Sequence, residues 1–405
     1  MSVAILPSRT VALEQLGSLS LPTRRDEAWR YAPHKALGQL TFGPATAPDV
    51  VPAVVDGQIP HIDGPRLVIV NGVVDRERSK LDVMPAGVEL VSIEGASGDR
   101  AARALGREHE EPEDAFSIIN RAYGTGGALL LIDGRPDEVI HIVDVAVPDG
   151  AHNASASRVV IELAAGSSAT VVETRIGSGD TFGGSNVRSE VSLATDASLE
   201  HIILQDLPAS QIHLGRVDVV QAAGSTLRAR LFNLGSDYGR VAYHVLLAGE
   251  GAHADLSGLY FGSGRQTLDQ QITVVHAAKD CTSRQSYRGV LDDASTGVWN
   301  GGVAVRAGAD GTDSEQSNDN LLLSRQAEVN SMPRLEILAD EVSCRHGATV
   351  GQLDEAALYY MRSRGIPAAE ASRLLVHGFA DQVMDTLESE AVRSWITERL
   401  GRDDA

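Results

Sequence analysis

Cysteine is nearly absent: Cys281 and Cys344 are the only two in 405 residues. That excludes a disulfide framework, and it excludes a conventional iron–sulfur cluster held by four cysteines of this chain alone. Aromatic residues make up 4%, whereas glycine reaches 40 residues, so a compact core built around large rings is disfavoured against an extended, regularly stacked β architecture. Basic runs are missing as well. With 35 Lys and Arg against 55 Asp and Glu, the formal charge is −20, which argues against binding nucleic acid, because that requires neutralising phosphates. No apolar run is long enough to span a bilayer, and no signal-peptide pattern opens the chain. A soluble cytoplasmic protein without membrane attachment is the expectation. Nucleotide-binding and hydrolase signatures are lacking too: there is no G-x-x-x-x-G-K-[ST], no G-x-S-x-G and no H-E-x-x-H. Gly177-Ser178-Gly179 and Gly262-Ser263-Gly264 have no Lys-Ser/Thr after them and read as turns.

What is present is a rhythm. Apolar runs end in small-residue turns at Leu163 to Thr170, Leu193 to Glu200, Gln221 to Arg228, Leu247 to Ala254 and His276 to Ser283, whose starts lie 30, 28, 26 and 29 positions apart. Later turns near Leu291, Val305, Leu323 and Leu338 come 14 to 18 apart, about half that period. Between turns the chain alternates in hydrophobicity, as in Leu227 to Phe232 and Val217 to Val220. Evenly spaced strands suit a solenoid, a sandwich or a barrel, and the constant period favours the solenoid. The expected architecture is mostly β, with a solenoid core over 66–350, a helical insertion near 101–124, a mainly helical N-terminal region over 1–65 and a helical domain over 351–405. In the last region Asp354 can cap a helix carrying Leu358 and Met361 that ends near Gly365, and Pro367 can open a second with Ala371, Leu374, Leu375, Phe379 and Val383 as its apolar stripe. A frayed tail is expected from Gly401 onward.

One segment combines two metal-competent side chains. In Glu341 to Gly351 (EVSCRHGATVG), Cys344 and His346 stand two apart in a strand pattern, so they share a face with Val342. Thiolate and imidazole suit zinc, copper or iron, but two ligands do not close a site that usually needs four. Other residues complete it, another chain completes it, or there is no metal and Cys344 simply fills the solenoid. His244, His253, His276 and His377 read as packed or surface histidines, and Cys281 as incidental to a turn.

The run from Cys344 to Gly351 (CRHGATVG), followed by Leu358 to Ile366 (LYYMRSRGI), resembles the SufB/SufD family of iron–sulfur cluster assembly proteins. So do Gln316 to Ser324 (QSNDNLLLS), Ala327 to Ile337 (AEVNSMPRLEI) and, near the start, Pro22 to Tyr31 (PTRRDEAWRY). The resemblance implies a right-handed parallel β-helix and a non-catalytic scaffold subunit. It implies pairing with a SufB-like paralog through the last turns, about 301–350, with Asn318 and His346 at that interface. His346 would serve iron entry and cluster assembly; Cys344 belongs to the same motif. A SufC-like ATPase would dock on the C-terminal helices through Tyr359, Arg362, Arg364, Gly365 and Ile366, and a desulfurase system would supply sulfur. No cofactor is expected to stay tightly bound to the isolated chain; a transient iron or iron–sulfur cluster at the partner interface is, and reduced flavin is linked to the family's complex. The chain alone can homodimerise. Asn318 stands where the SufB branch carries a cysteine, and an amide is a poor ligand for iron or persulfide sulfur, so the chain resembles the SufD branch. The competing readings are a SufB-type direct scaffold and a solenoid enzyme acting on polysaccharide or acyl substrates. Arg24, Arg25 and Trp29 fit the family's N-terminal signature, and equally a surface helix with one buried Trp.

Overall fold

The computed structural model describes residues 7–107, 113–148 and 152–401; the expected tail, 402–405, and the middle of the 101–124 insertion lie outside them. Two sheets of ten and nine strands form a parallel β-solenoid of about eight turns. Successive strands alternate between the sheets, so each strand pairs in parallel with the one two places on in sequence. Thr226–Asn233, for example, lies between Ser198–Asp206 and His253–Gly262 with every residue in register. One coil of the solenoid therefore contains two strands and two turns, which explains both the long period of the sequence and its half-period.

The turns repeat one backbone device. Gly166, Asp196, Gly224, Gly251 and Asp280 all have positive φ, between 55° and 69°. This left-handed conformation is strained for most L-residues and tolerable for Gly, Asn and Asp. The small-residue turns of the sequence are therefore a conformational requirement, and they let the chain reverse with the same geometry at each coil.

Alternation then sorts side chains into two sets. Inward residues of both sheets form one continuous apolar core running from Leu67 and Ile69 through Leu227, Leu256 and Ile272 to Trp299. Outward residues are covered differently on the two faces. On the ten-stranded sheet, Val172, Ile202, Phe232, Leu259 and Val290 lie beneath the C-terminal helices Ala368–Met384 and Glu390–Leu400. On the nine-stranded sheet, Leu214 and Tyr238 are covered by Trp29, Leu37 and Phe116, the last from the helix Ala115–Tyr123. The N-terminal end is closed by antiparallel strands, Val73–Lys80 and Val88–Ser92, of which the first is rich in charge. The C-terminal end is not closed in that way: Glu328–Ile337 and Val342–Gly351 terminate the two sheets.

The ends differ in detail from the sequence expectation. The N-terminal region has an α-helix at Pro7–Leu16, a four-residue helix at His34–Leu37 and two short 3₁₀ segments; the remainder of 17–65 is irregular. Pro22, Pro33, Pro44, Pro48, Pro52, Pro60 and Pro65 interrupt it, each removing a backbone donor and disfavouring helix in the residue before it. At the other end Asp354 does cap Glu355–Ser363, its carboxylate accepting from the Ala356 amide at 2.8 Å, and Gly365 follows with φ +90°. In Ala368–Met384 the buried face is Ala371, Val376, Ala380 and Val383, while Leu374 is 45% exposed. The contact with the sheet has selected a stripe rotated from the one the largest apolar residues suggest.

The turn device gives a direct test. Gly251 has φ +69° and open space where a Cβ would stand, so only the backbone opposes substitution. Gly251→Val should lose about 1–2 kcal/mol of stability and Gly251→Asn far less, measured by chemical denaturation.

Candidate site at the open end of the solenoid

In-register stacking fixes where the singled-out residues go. Cys344 continues an inward column through Ser314, Ser283, Ala254 and Leu227, and His346 continues the next through Gln316, Gln285, Leu256 and Ala229. Both columns change from apolar to polar as they approach the end. Ser314 Oγ lies 2.8 Å from Ser283 Oγ, which lies 2.9 Å from His276 Nε2. Burial pulls His276 down to about 4, so this imidazole is neutral.

The last strand has no coil beyond it. His346 is therefore exposed although it belongs to the inward set, and Cys344 is half-buried against Val303, Val305, Leu335 and Val342. Burial first, and then the nearby Asp313 carboxylate, push the Cys344 thiol above the ordinary range and so favour its protonated form. Around the rim Arg345 reaches Glu315 at 3.0 Å, and Thr349 Oγ1 donates to Asp319 Oδ1 at 2.5 Å. Among the described residues no group of three or more His, Cys, Asp or Glu is placed to hold a metal ion. Cys344 and His346 thus lie in adjacent inward columns at an open surface.

Asn318 requires a correction. Expected at the partner interface, it is 0% exposed. Its Nδ2 donates to the Tyr260 hydroxyl at 3.0 Å and lies 3.4 Å from the Tyr287 carbonyl, and its Oδ1 accepts from Asn320 Nδ2 at 2.7 Å. It has the same inward parity as His346 but sits one coil deeper, under Ala348, so its side chain cannot touch a partner. An amide suits that position because it both donates and accepts, whereas a thiol there would leave the Tyr260 hydroxyl and the Asn320 amide poorly matched.

The remaining candidates fall in two groups. Tyr359 is 76% exposed, and Arg362, Arg364 and Gly365 are exposed beside it, with Ile366 half-buried; the Arg364 guanidinium lies over the Tyr360 ring. They form one free face on the C-terminal helical region. His244, by contrast, lies on the nine-stranded sheet, and burial, reinforced by Arg216, lowers it to about 4. Cys281 is buried in its turn, its sulfur 3.3 Å from the Gly249 carbonyl.

One polar cluster has no motif to announce it. Glu173, Arg175, Ser189, His201 and Tyr243 meet inside the solenoid, all nearly or fully buried. Arg175 Nη2 and Ser189 Oγ donate to Glu173 Oε2 at 2.9 and 2.8 Å, His201 Nε2 is 2.8 Å from Glu173 Oε1, and the Tyr243 hydroxyl is 2.7 Å from His201 Nδ1. Burial pushes the Glu173 carboxyl up, but Arg175 and His201 outweigh it and bring it down to about 2. The carboxylate is therefore ionised and accepts from His201 Nε2. The only sequence signal is parity: these residues occupy inward positions of strands from both sheets.

Comparison with known proteins places this geometry. The family model described as SUF system FeS cluster assembly, SufBD core domain, matches residues 146–379, more than half of the chain. The chain belongs to the SufBD family. It is 29% identical to the iron–sulfur cluster assembly protein SufD of Escherichia coli, over 98% of this chain and 92% of that protein. It is 30% identical to an iron–sulfur cluster assembly SufBD family protein of Mycobacterium tuberculosis over 95% of this chain and 89% of the relative, and 28% identical to SufD of Bacillus subtilis over 72% and 67%. Within the SufBD family the chain is of the SufD type, and its part is in iron–sulfur cluster assembly. Among the described residues no helix is long and apolar enough to cross a membrane.

The two thiols should separate by reactivity. Iodoacetamide should modify half-buried Cys344 well before buried Cys281, and Cys344 labelling should keep accelerating as pH rises past the range of a free cysteine. Peptide mass mapping reads both; equal labelling of the native protein would contradict the placement of Cys281.

Proposed function

We propose that this chain acts as the SufD-type subunit of a cytoplasmic assembly complex, pairing end to end with a SufB-like chain and contributing His346 to the shared site. One observation carries the proposal: the solenoid ends on two unpaired strand edges, and His346 is the exposed inward group there. Unpaired edges are templates for another chain. Apolar residues accompany them, with Leu338 64% and Val350 56% exposed. A neutral imidazole is a suitable ligand for iron, and a partner's thiolate or carboxylate would complete the set that this chain leaves at two. Iron or the nascent cluster is cargo in this reading. The chain serves as a scaffold and not as a catalyst, ATP acts in trans on a SufC-like ATPase, and sulfur arrives from a desulfurase system. Without its partner the same edges could pair two copies of the chain. The flavin implied by the resemblance has no residue assigned to it, and no step of the proposed function runs through it.

Co-expression with a SufB-like chain should give a stoichiometric complex by size exclusion and mass measurement. Because His346 is exposed, His346→Ala should change stability by no more than about 0.5 kcal/mol and leave assembly intact. Cluster yield on reconstitution should fall roughly tenfold or more. Full yield from a correctly assembled His346→Ala complex would rule out the role given to this residue.

We assign ATPase docking to the exposed face around Tyr359. Deleting everything after Gly351 is a poor test, because it would strip the apolar cover from the ten-stranded sheet. Tyr359→Ala combined with Arg362→Ala keeps that cover. It should weaken ATPase binding by about 1–3 kcal/mol, read by titration calorimetry, while thermal stability stays unchanged.

A further inference from the structure

We propose that a cleft on the N-terminal arm binds small molecules bearing a phosphate group. The cleft holds about 430 Å³ and is lined by Arg24, His34 and Lys35 together with Ala32, Pro33 and Ala36. That volume lies in the range of small-molecule sites and would hold a nucleoside monophosphate. None of the lining residues is acidic, in a chain whose formal charge is −20. The neighbouring acids lie outside this lining, although the Asp26 carboxylate acts electrostatically on His34. Asp26 Oδ2 accepts from the Thr23 amide at 2.7 Å and the Thr23 hydroxyl at 3.0 Å, and Glu27 pairs with Arg334. Among the described residues Arg24 and Lys35 have no ionic partner.

His34 supplies the second observation. Its Nδ1 lies 3.0 Å from the Pro22 carbonyl oxygen, which can only accept, so that nitrogen carries a hydrogen. Its Nε2 is buried and has no hydrogen-bond partner. A buried polar atom left unmatched costs free energy. Turned towards the cleft, the ring would let a monohydrogen phosphate satisfy this atom by donating to it. Arg24 would offer a planar fork and Lys35 a point charge, the two usual means of holding phosphate. The alanines and Pro33 leave an apolar side for the organic body of a phosphate monoester.

The cleft also stands on a fixed support. Trp29 is buried against the nine-stranded sheet with the Arg240 guanidinium 4.0 Å from its ring centre, and Arg240 Nη1 donates to the Ala28 carbonyl at 2.7 Å. Together with the Glu27–Arg334 pair, these contacts hold the arm along the outer face of the solenoid.

Equilibrium dialysis of the full chain with inorganic phosphate, AMP and adenosine tests the proposal. Phosphate and AMP should bind saturably and compete with each other, and adenosine should not bind. Arg24→Ala and Lys35→Ala, both at exposed positions, should each weaken binding about fivefold with the circular dichroism spectrum unchanged. Arg24→Lys should fall in between, and raising sodium chloride from about 50 to about 300 mM should weaken binding several-fold. Non-saturating uptake, binding indifferent to both variants, or capture of an acidic peptide with no binding of phosphate or AMP would each overturn it.

Discussion

In-register parallel stacking is the constraint on which the rest of this molecule depends. Each strand lies about 4.8 Å from the one a coil earlier, and residues of equal parity fall into columns. From Thr226 through His253, Thr282 and Asp313 to Ser343 the ten-stranded sheet keeps that register without a bulge. Because the columns are continuous, a side chain's surroundings are set by its neighbours one coil before and after, more than by its neighbours in sequence. The left-handed Gly and Asp turns serve this constraint, since a coil that reversed differently would shift the register and turn every side chain to the other face.

The constraint also explains how the interior tolerates charge. A lone buried carboxylate is costly, and even a buried ion pair often does no better than apolar packing. Glu173 avoids the lone state because Ser189 and Arg175 reach it across and along the core, and His201 stands one coil on in the adjacent column. Removing any member would strand the others without water, so the cluster has to be kept or replaced as a unit.

Much of the fold is legible in the amino-acid sequence, and the reasons are physical. Turn chemistry repeats because the left-handed position repeats, so Gly166, Asp196, Gly224, Gly251 and Asp280 mark the coils by residue type alone. The pairing of Cys344 and His346 on one face follows from strand parity. Parity alone cannot say that Asn318 lies one coil too deep, because depth along the solenoid depends on which strand is last. It cannot find Glu173 and His201 either, since polar residues at inward positions interrupt the apolar pattern by which a core is recognised. The irregular N-terminal arm reads as helical because its charged and aromatic residues have helical spacing, while its prolines act on the backbone independently of that spacing.

The end of the stack leaves the same geometry open on one side. Inside the solenoid an inward group has a coil on either side of it, as Asn318 lies between Tyr287 and Ala348 in its column. At the last strand one of those neighbours is missing, so an inward group there keeps its column below and meets solvent above. His346 is in that position, and Cys344 half so. A site built this way cannot be completed by more of the same chain, because another coil would bury the imidazole and move the edge outward. On the proposed function, a second solenoid meeting the first end to end would supply further ligands while leaving the columns of both intact. On that proposal, pairing and ligand binding would be parts of a single event.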